Sequence, residues 1–151
     1  LRINNIIFPS YNSSDGLSVD LFLAGCARKP KCKNCQNPDL WDFDNGEEYS
    51  FKSLSEWLVM KSDYYDNIVI LGGEPVDHDD LSDLLIRIYH IKPIWLYSSY
   101  ELNEIPNEIK QYCDYIKTGR YVEELKTGTN FHYGINLISG NQQIYKKGLD
   151  Y

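Results

Sequence analysis

The chain has 151 residues, 42% hydrophobic and 14% aromatic, which is enough to bury one core and too few for two comfortable domains, so a single domain over residues 1–151 is expected. A net charge of −7 leaves no broad basic face for a phosphate backbone and argues against nucleic acid as a partner. No apolar run has the length of a membrane-spanning helix and Leu1–Asn5 lack the layout of a signal peptide, so a cytoplasmic protein without a membrane partner is expected.

Strand-like apolar stretches recur at Ile3–Phe8, Val19–Ala24, Asn67–Leu71, Ile94–Tyr97, Tyr115–Lys117 and Ile135–Ile138, and Asn12–Gly16 reads as a polar turn between the first two. Helical patterns fall between the later strands. Ser53 with Glu56 reads as a capping box ahead of an apolar stripe of Leu54, Trp57 and Leu58. Asp77, Asp79 and Asp80 suit a helix N-terminus, with Leu81, Leu84, Leu85 and Ile88 following at helical spacing. A third helix is predicted from Pro106 to Cys113, with Ile105, Ile109 and Tyr112 as its apolar side. Such alternation predicts an α/β fold with a mainly parallel sheet, whose ligand sites lie at the carboxyl ends of the strands. Gly25-Cys26, Gly72-Gly73-Glu74-Pro75, Ser98-Ser99-Tyr100 and Thr118-Gly119 would all fall at such ends.

Three of the four cysteines, Cys26, Cys32 and Cys35, lie within ten residues of one another. Clustered thiols in a reducing compartment point to soft-metal chemistry, either zinc or an iron–sulfur cluster. A closed zinc site needs a fourth ligand, and the candidates are distant: His78, and Cys113 on the apolar side of the third helix, where a buried thiol is the ordinary outcome. A cubane held by three cysteines would instead leave one iron open to a substrate or cofactor. From the cysteines alone both readings stand.

The flanking residues resemble a known family. Gly25-Cys26, then Cys32, Cys35, Asn37 and Trp41, follow the pattern Gly-Cys, Cys-x2-Cys-x-Asn and a Trp four residues on. Leu71-Gly72-Gly73-Glu74-Pro75, Ile94-Trp95-Leu96-Tyr97-Ser98-Ser99-Tyr100, Gly119-Arg120-Tyr121 with Leu125, and Asn141-Gln142 continue the match in order. The stretch from 18 to 143 is thereby similar to the radical S-adenosylmethionine activating enzymes, specifically the activases of anaerobic (class III) ribonucleotide reductases.

That resemblance implies an incomplete β/α barrel carrying a 4Fe-4S cluster on Cys26, Cys32 and Cys35. S-adenosylmethionine would be held by Gly72, Gly73 and Glu74, the last accepting from its amino group, with Ser98 or Ser99 reaching its ribose or carboxylate. No catalytic residue beyond cluster and cofactor is implied. The implied partners are reduced flavodoxin or ferredoxin as electron donor and the glycine loop of the reductase large subunit as hydrogen donor. Two other readings remain: an activase of another glycyl radical enzyme, of the formate-lyase type, and a non-catalytic zinc or iron–sulfur module.

The chain departs from the family pattern in four places. The first cysteine gap, Ala27-Arg28-Lys29-Pro30-Lys31, is two residues longer than the familiar three. Asn34 and Gln36 flank the last cysteine, where many relatives carry an aromatic residue just before it. Asn12-Ser13-Ser14-Asp15-Gly16 replaces a glycine-rich approach, and Thr118 stands where the family has Asp.

Overall fold

The computed structural model describes residues 1–151. Its strands are β1 (Arg2–Ser10), β2 (Ser18–Leu23), β3 (Glu47–Glu48), β4 (Asn67–Gly72), β5 (Ile94–Tyr97), β6 (Tyr115–Thr118), β7 (Lys126–His132), β8 (Ile135–Ser139) and β9 (Gln143–Lys146). Seven form one sheet in the order β3-β1-β2-β4-β5-β6-β9, while β7 and β8 pair only with each other. The helices are α1 (Phe51–Met60), α2 (Leu81–Ile88) and α3 (Asn107–Lys110).

The expected mainly parallel sheet of a partial β/α barrel is overturned. The sheet is mixed: β2, β4, β5 and β6 are parallel, but β1, β3 and β9 add to its two sides antiparallel. The reason is connection length. A parallel neighbour needs a crossover of a dozen or more residues, and only the links from β2 to β4, β4 to β5 and β5 to β6 carry a helix. Residues 11–17 joining β1 to β2 are too few, so β1 folds back along β2.

Alternation along the central strands divides the molecule into two faces. Val19, Leu21, Leu23, Ile68, Ile70, Ile94, Leu96 and Ile116 point to the helices and pack with Leu54, Leu58, Leu81, Leu84, Leu85, Ile88 and Ile109. Val69, Leu71 and Trp95 point the other way and pack with Leu137 of β8 and Ile144 of β9. The hairpin β7–β8 thus roofs the face that has no helices. Its two-residue turn, Tyr133-Gly134, has both φ angles positive (47° and 79°), the conformation that suits the twist of a tight hairpin.

Local expectations need three corrections. Helix α1 begins a turn earlier than the Ser53–Glu56 pattern implied: Ser50 caps it by accepting from the Ser53 backbone N–H at 3.0 Å, and Glu56 lies 3.9 Å from Lys52 instead. Helix α3 is a single turn, because the chain must reach β6 at Tyr115; Ile109 and Cys113 are nonetheless buried as expected. Ile135–Ile138 does form a strand, but in the roof and not in the main sheet. Leu81, Leu84, Leu85 and Ile88 of α2 are all fully buried, as their spacing predicts, while Ile86 falls on the exposed side. No helix is long and apolar enough to cross a membrane.

Candidate functional site

The loops leaving β2, β4, β5 and β6 meet at one end of the sheet, as their sequence positions predicted. The tightest junction lies between the cysteine loop and the Gly72-Gly73-Glu74 turn. Gly73 N–H donates to Leu23 O at 3.0 Å and Glu74 N–H to Gly25 O at 2.8 Å. A Cβ on Gly73 would sit 2.3 Å from Gly25 O and 2.4 Å from Leu40 O, and one on Gly72, whose φ is +130°, would sit 2.3 Å from Leu23 O. Gly72 is therefore required by the close passage of the end of β2 and Gly73 by that of the cysteine loop, whatever else approaches them.

Glu74 is completely buried, and all four of its acceptor positions are filled. Oε1 accepts from Val76 N–H at 3.2 Å and the Ser98 hydroxyl at 2.7 Å; Oε2 accepts from Ser99 N–H at 2.7 Å and the Ser99 hydroxyl at 2.5 Å. Burial pushes its carboxyl above the ordinary range, with the four donors pulling it partly back. Ser98 and Ser99 thus turn their hydroxyls to Glu74. For Glu74 to accept from a bound amine, one serine hydroxyl must first rotate away.

Cys26, Cys32 and Cys35 are all free and half-buried. Burial pushes the Cys26 thiol up, and Asn37 N–H points at Cys35 Sγ from 3.4 Å. Asn37 opens a one-turn 3-10 helix, Pro38–Leu40, whose end returns the chain to the sheet: Gly25 N–H donates to Leu40 O at 2.8 Å and Cys26 N–H to Trp41 O at 3.2 Å. Cys113, by contrast, lies fully buried in the helix-side core, its thiol donating to Ile109 O at 3.5 Å and pushed strongly up by burial.

His78 does not complete a closed set. It is buried with its ring against Phe43, centroids 5.3 Å apart, and desolvation lowers its pKa. No three His, Cys, Asp or Glu side chains converge tightly enough to hold a single ion. A tetrahedral zinc demands such convergence. A cubane gripped at three corners does not, and free thiols on one loop with a backbone N–H already aimed at a sulfur are a donor set that fits it.

Beside Cys32 and Cys35 opens a cavity of about 370 Å³ on the helix-free face. Gly72, Gly73, Ser98 and Ser99 line one wall, and Ile135–Ile138 of the hairpin line the other. Lys117 and Arg120 are the only formally charged side chains on its walls, both positive in an acidic chain, and neither has a carboxylate within 4.0 Å. The half-buried Lys117 ammonium donates to Gly119 O at 3.0 Å, and burial lowers its pKa to about 8.

Sequence reasoning missed Lys117, although alternation in β6 carried the signal: Ile116 belongs to the core, so Lys117 faces away from it. It also missed Asp20, a fully buried carboxylate that accepts from the Ser10 hydroxyl (2.6 Å), the Asn12 amide (2.6 Å) and the Ser18 hydroxyl (2.7 Å). These bonds hold the polar loop at the cavity edge, where Asn12 O accepts from the Tyr97 hydroxyl at 2.7 Å. Asn141 and Gln142 are ties as well: their side chains donate to Arg120 O (2.9 Å) and Gly119 O (3.2 Å), fixing the loop after β6.

Three free thiols on one loop, two of them lining a cavity at the strand-end turns, are the features of an iron–sulfur protein. The chain belongs to the 4Fe-4S single cluster domain family, whose sequence model matches residues 13–145. Among curated proteins it is similar to the anaerobic ribonucleoside-triphosphate reductase-activating protein of Enterobacteria phage T4, 28% identical over 130 residues, covering 80% of this chain and 82% of that protein. Proteins of the same name from Escherichia coli K12 (26% over 145 residues, 86% and 88% covered) and Salmonella typhimurium (25% over 123 residues, 74% and 79%) are also similar. The resemblance read from the motifs is borne out at this level.

Proposed function

We propose that this chain is the activase of an anaerobic ribonucleotide reductase, working in the cytoplasm with S-adenosylmethionine as its cofactor. The observation that carries the proposal is the meeting of Cys32 and Cys35 with Gly72, Gly73, Ser98 and Ser99 around one cavity whose only formal charges are Lys117 and Arg120. A ligand with an amino-acid head and a nucleoside body suits those walls: cations for its carboxylate, hydroxyls and turn backbone for its polar edges, and apolar Leu71, Ile135 and Leu137 for its flat part.

When bound and reduced by flavodoxin or ferredoxin, the cluster and cofactor would supply the radical chemistry that takes a hydrogen from a glycine of the reductase large subunit. The chain's own residues have more modest tasks. Cys26, Cys32 and Cys35 hold the cluster. Ser98 and Ser99 bind the cofactor's polar atoms in orientations fixed by Glu74, which receives the amine when a serine hydroxyl turns away. Lys117 neutralises the carboxylate, and the hairpin roof excludes water from the reacting face.

The test is direct. Reduced, reconstituted protein is mixed with S-adenosylmethionine and a class III reductase deuterated at its radical glycine. The expected result is a glycyl radical by electron paramagnetic resonance and deuterium in the 5′-deoxyadenosine. Cofactor cleavage without a radical on the reductase overturns the choice of partner; absence of cleavage overturns the chemistry.

A further inference from the structure

The long cysteine gap is held at several points along its length. Ala27 N–H, directly after Cys26, donates to Asp77 Oδ2 at 2.6 Å. The Arg28 guanidinium lies over the Tyr100 ring, 4.2 Å from its centroid, and the Tyr100 hydroxyl donates to Asp77 Oδ1 at 2.7 Å. Arg120 donates to Pro30 O, and Lys31, directly before Cys32, folds back to donate to Cys26 O with its ammonium 5.7 Å from the Trp41 ring centroid. Asp77 thus fills both carboxylate oxygens with contacts that converge on the start of the insert. It ends the 3-10 turn Pro75–Asp77, which Glu74 caps through Val76 N–H, so it is fixed to the same turn as Glu74. Tyr100 follows Ser98 and Ser99, the other two partners of that turn.

We infer that Asp77 and Tyr100 are positioning residues for the iron–sulfur cluster: they clasp the Ala27–Lys31 insert and so fix Cys26 relative to the cofactor-side loops. The physical need is clear. A five-residue gap left free would let Cys26 and Cys32 sample many separations, and each excursion opens the cluster to loss. Pinning the residue after Cys26 and the residue before Cys32 removes that freedom. The clasp also gives a structural reason why a longer gap is tolerated: its first two residues, Ala27 and Arg28, lie against the Asp77–Tyr100 pair. The inference rests on the assignment of the cluster to Cys26, Cys32 and Cys35.

The experiment compares wild type, Asp77→Ala, Asp77→Asn and Tyr100→Phe, each anaerobically reconstituted, by the rate of iron release to a chelator and by the electron paramagnetic resonance spectrum of the reduced cluster. Thermal unfolding of each iron-free protein controls for folding. Asp77→Ala should release iron about tenfold faster or more, the scale of one lost charge-assisted hydrogen bond holding the loop, and should broaden the cluster spectrum. Asp77→Asn can still accept from Ala27 N–H and donate to the Tyr100 oxygen, but through neutral bonds about half as strong, so its release should be about threefold faster than wild type. Tyr100→Phe keeps the ring under Arg28 but loses one bond to Asp77, and should fall between them. Release from Asp77→Ala at the wild-type rate with an unchanged spectrum overturns the inference, as does failure of Asn to rescue. A wild-type protein that retains no iron overturns instead the ligand assignment on which it rests.

Discussion

Replacing Glu74 by Gln tests the hub of the site, and the expected result is a loss of fold stability before any loss of cofactor. The carboxylate accepts from two backbone N–H groups, Val76 on one oxygen and Ser99 on the other, besides the two serine hydroxyls. A Gln amide offers only one oxygen. Either orientation points its NH2 group at one of those backbone donors, setting two donors face to face around a side chain that is itself fully buried. The serine hydroxyls can rotate and accept; a backbone N–H cannot. One stranded buried donor costs roughly 1–3 kcal/mol, and the bonds that remain fall from charge-assisted to neutral strength. Against this stands relief of the desolvation that pushes the Glu74 carboxyl up, so a net cost of about 3 kcal/mol is a fair expectation. For a chain of this size that corresponds to a fall of roughly 6–12 °C in melting temperature. Thermal unfolding of the iron-free proteins, with Ser99→Ala as a milder control that removes one hydroxyl donor, measures it. A Glu74→Gln protein melting within about 2 °C of wild type would refute the hub.

Further predictions follow from the same geometry. Cys26→Ala, Cys32→Ala and Cys35→Ala should each abolish iron binding, while Cys113→Ala should keep the cluster and lose about 1 kcal/mol of stability; iron analysis and urea unfolding decide it. Gly73→Ala should cost about 3 kcal/mol and loosen iron, because the new methyl meets Gly25 O and Leu40 O at 2.3 and 2.4 Å; a stable variant with full iron content contradicts this. Lys117→Met should weaken S-adenosylmethionine in titration calorimetry while leaving methylthioadenosine, which lacks the carboxylate, unaffected; equal weakening of both points to a packing role. Its pKa in the fold is about 8 against about 10.4 in the unfolded chain, so between those values the unfolded state binds more protons and stability rises with pH. That rise, followed by urea unfolding from pH 7.5 upward, should be smaller in Lys117→Met than in wild type by the contribution of one lysine; identical profiles would deny the burial.

The iron–sulfur family was legible in the sequence because its motifs depend on residue types at fixed spacings. A thiolate ligand must be Cys, a turn where an added Cβ would lie 2.3 Å from a neighbouring carbonyl must be Gly, and both stay visible however the chain folds around them. Helix α2 was legible for a similar reason, since four residues at helical spacing have only one face to bury. What tertiary structure decided was direction and partnership. Nothing in Arg2–Ser10 says that it runs antiparallel to its neighbour; the short link to β2 and the competition among strands for the sheet settle that. Ile135–Ile138 looks like any buried strand, and only its pairing with β7 turns it into a cavity roof. Lys117 and Asp20 sit unremarked inside strand-like stretches in a linear scan, and Asp77 reads only as an anion at a helix start. The fold brings each beside groups from distant sequence: Lys117 to the wall with Cys32, Asp20 to Ser10 and Asn12, Asp77 to Ala27 and Tyr100. Sequence spacing fixes which side chains can do chemistry, because bonding depends on atom type. Burial and hydrogen-bond completion are sums over neighbours in space, and those neighbours exist only once the sheet has closed on its helices and its hairpin.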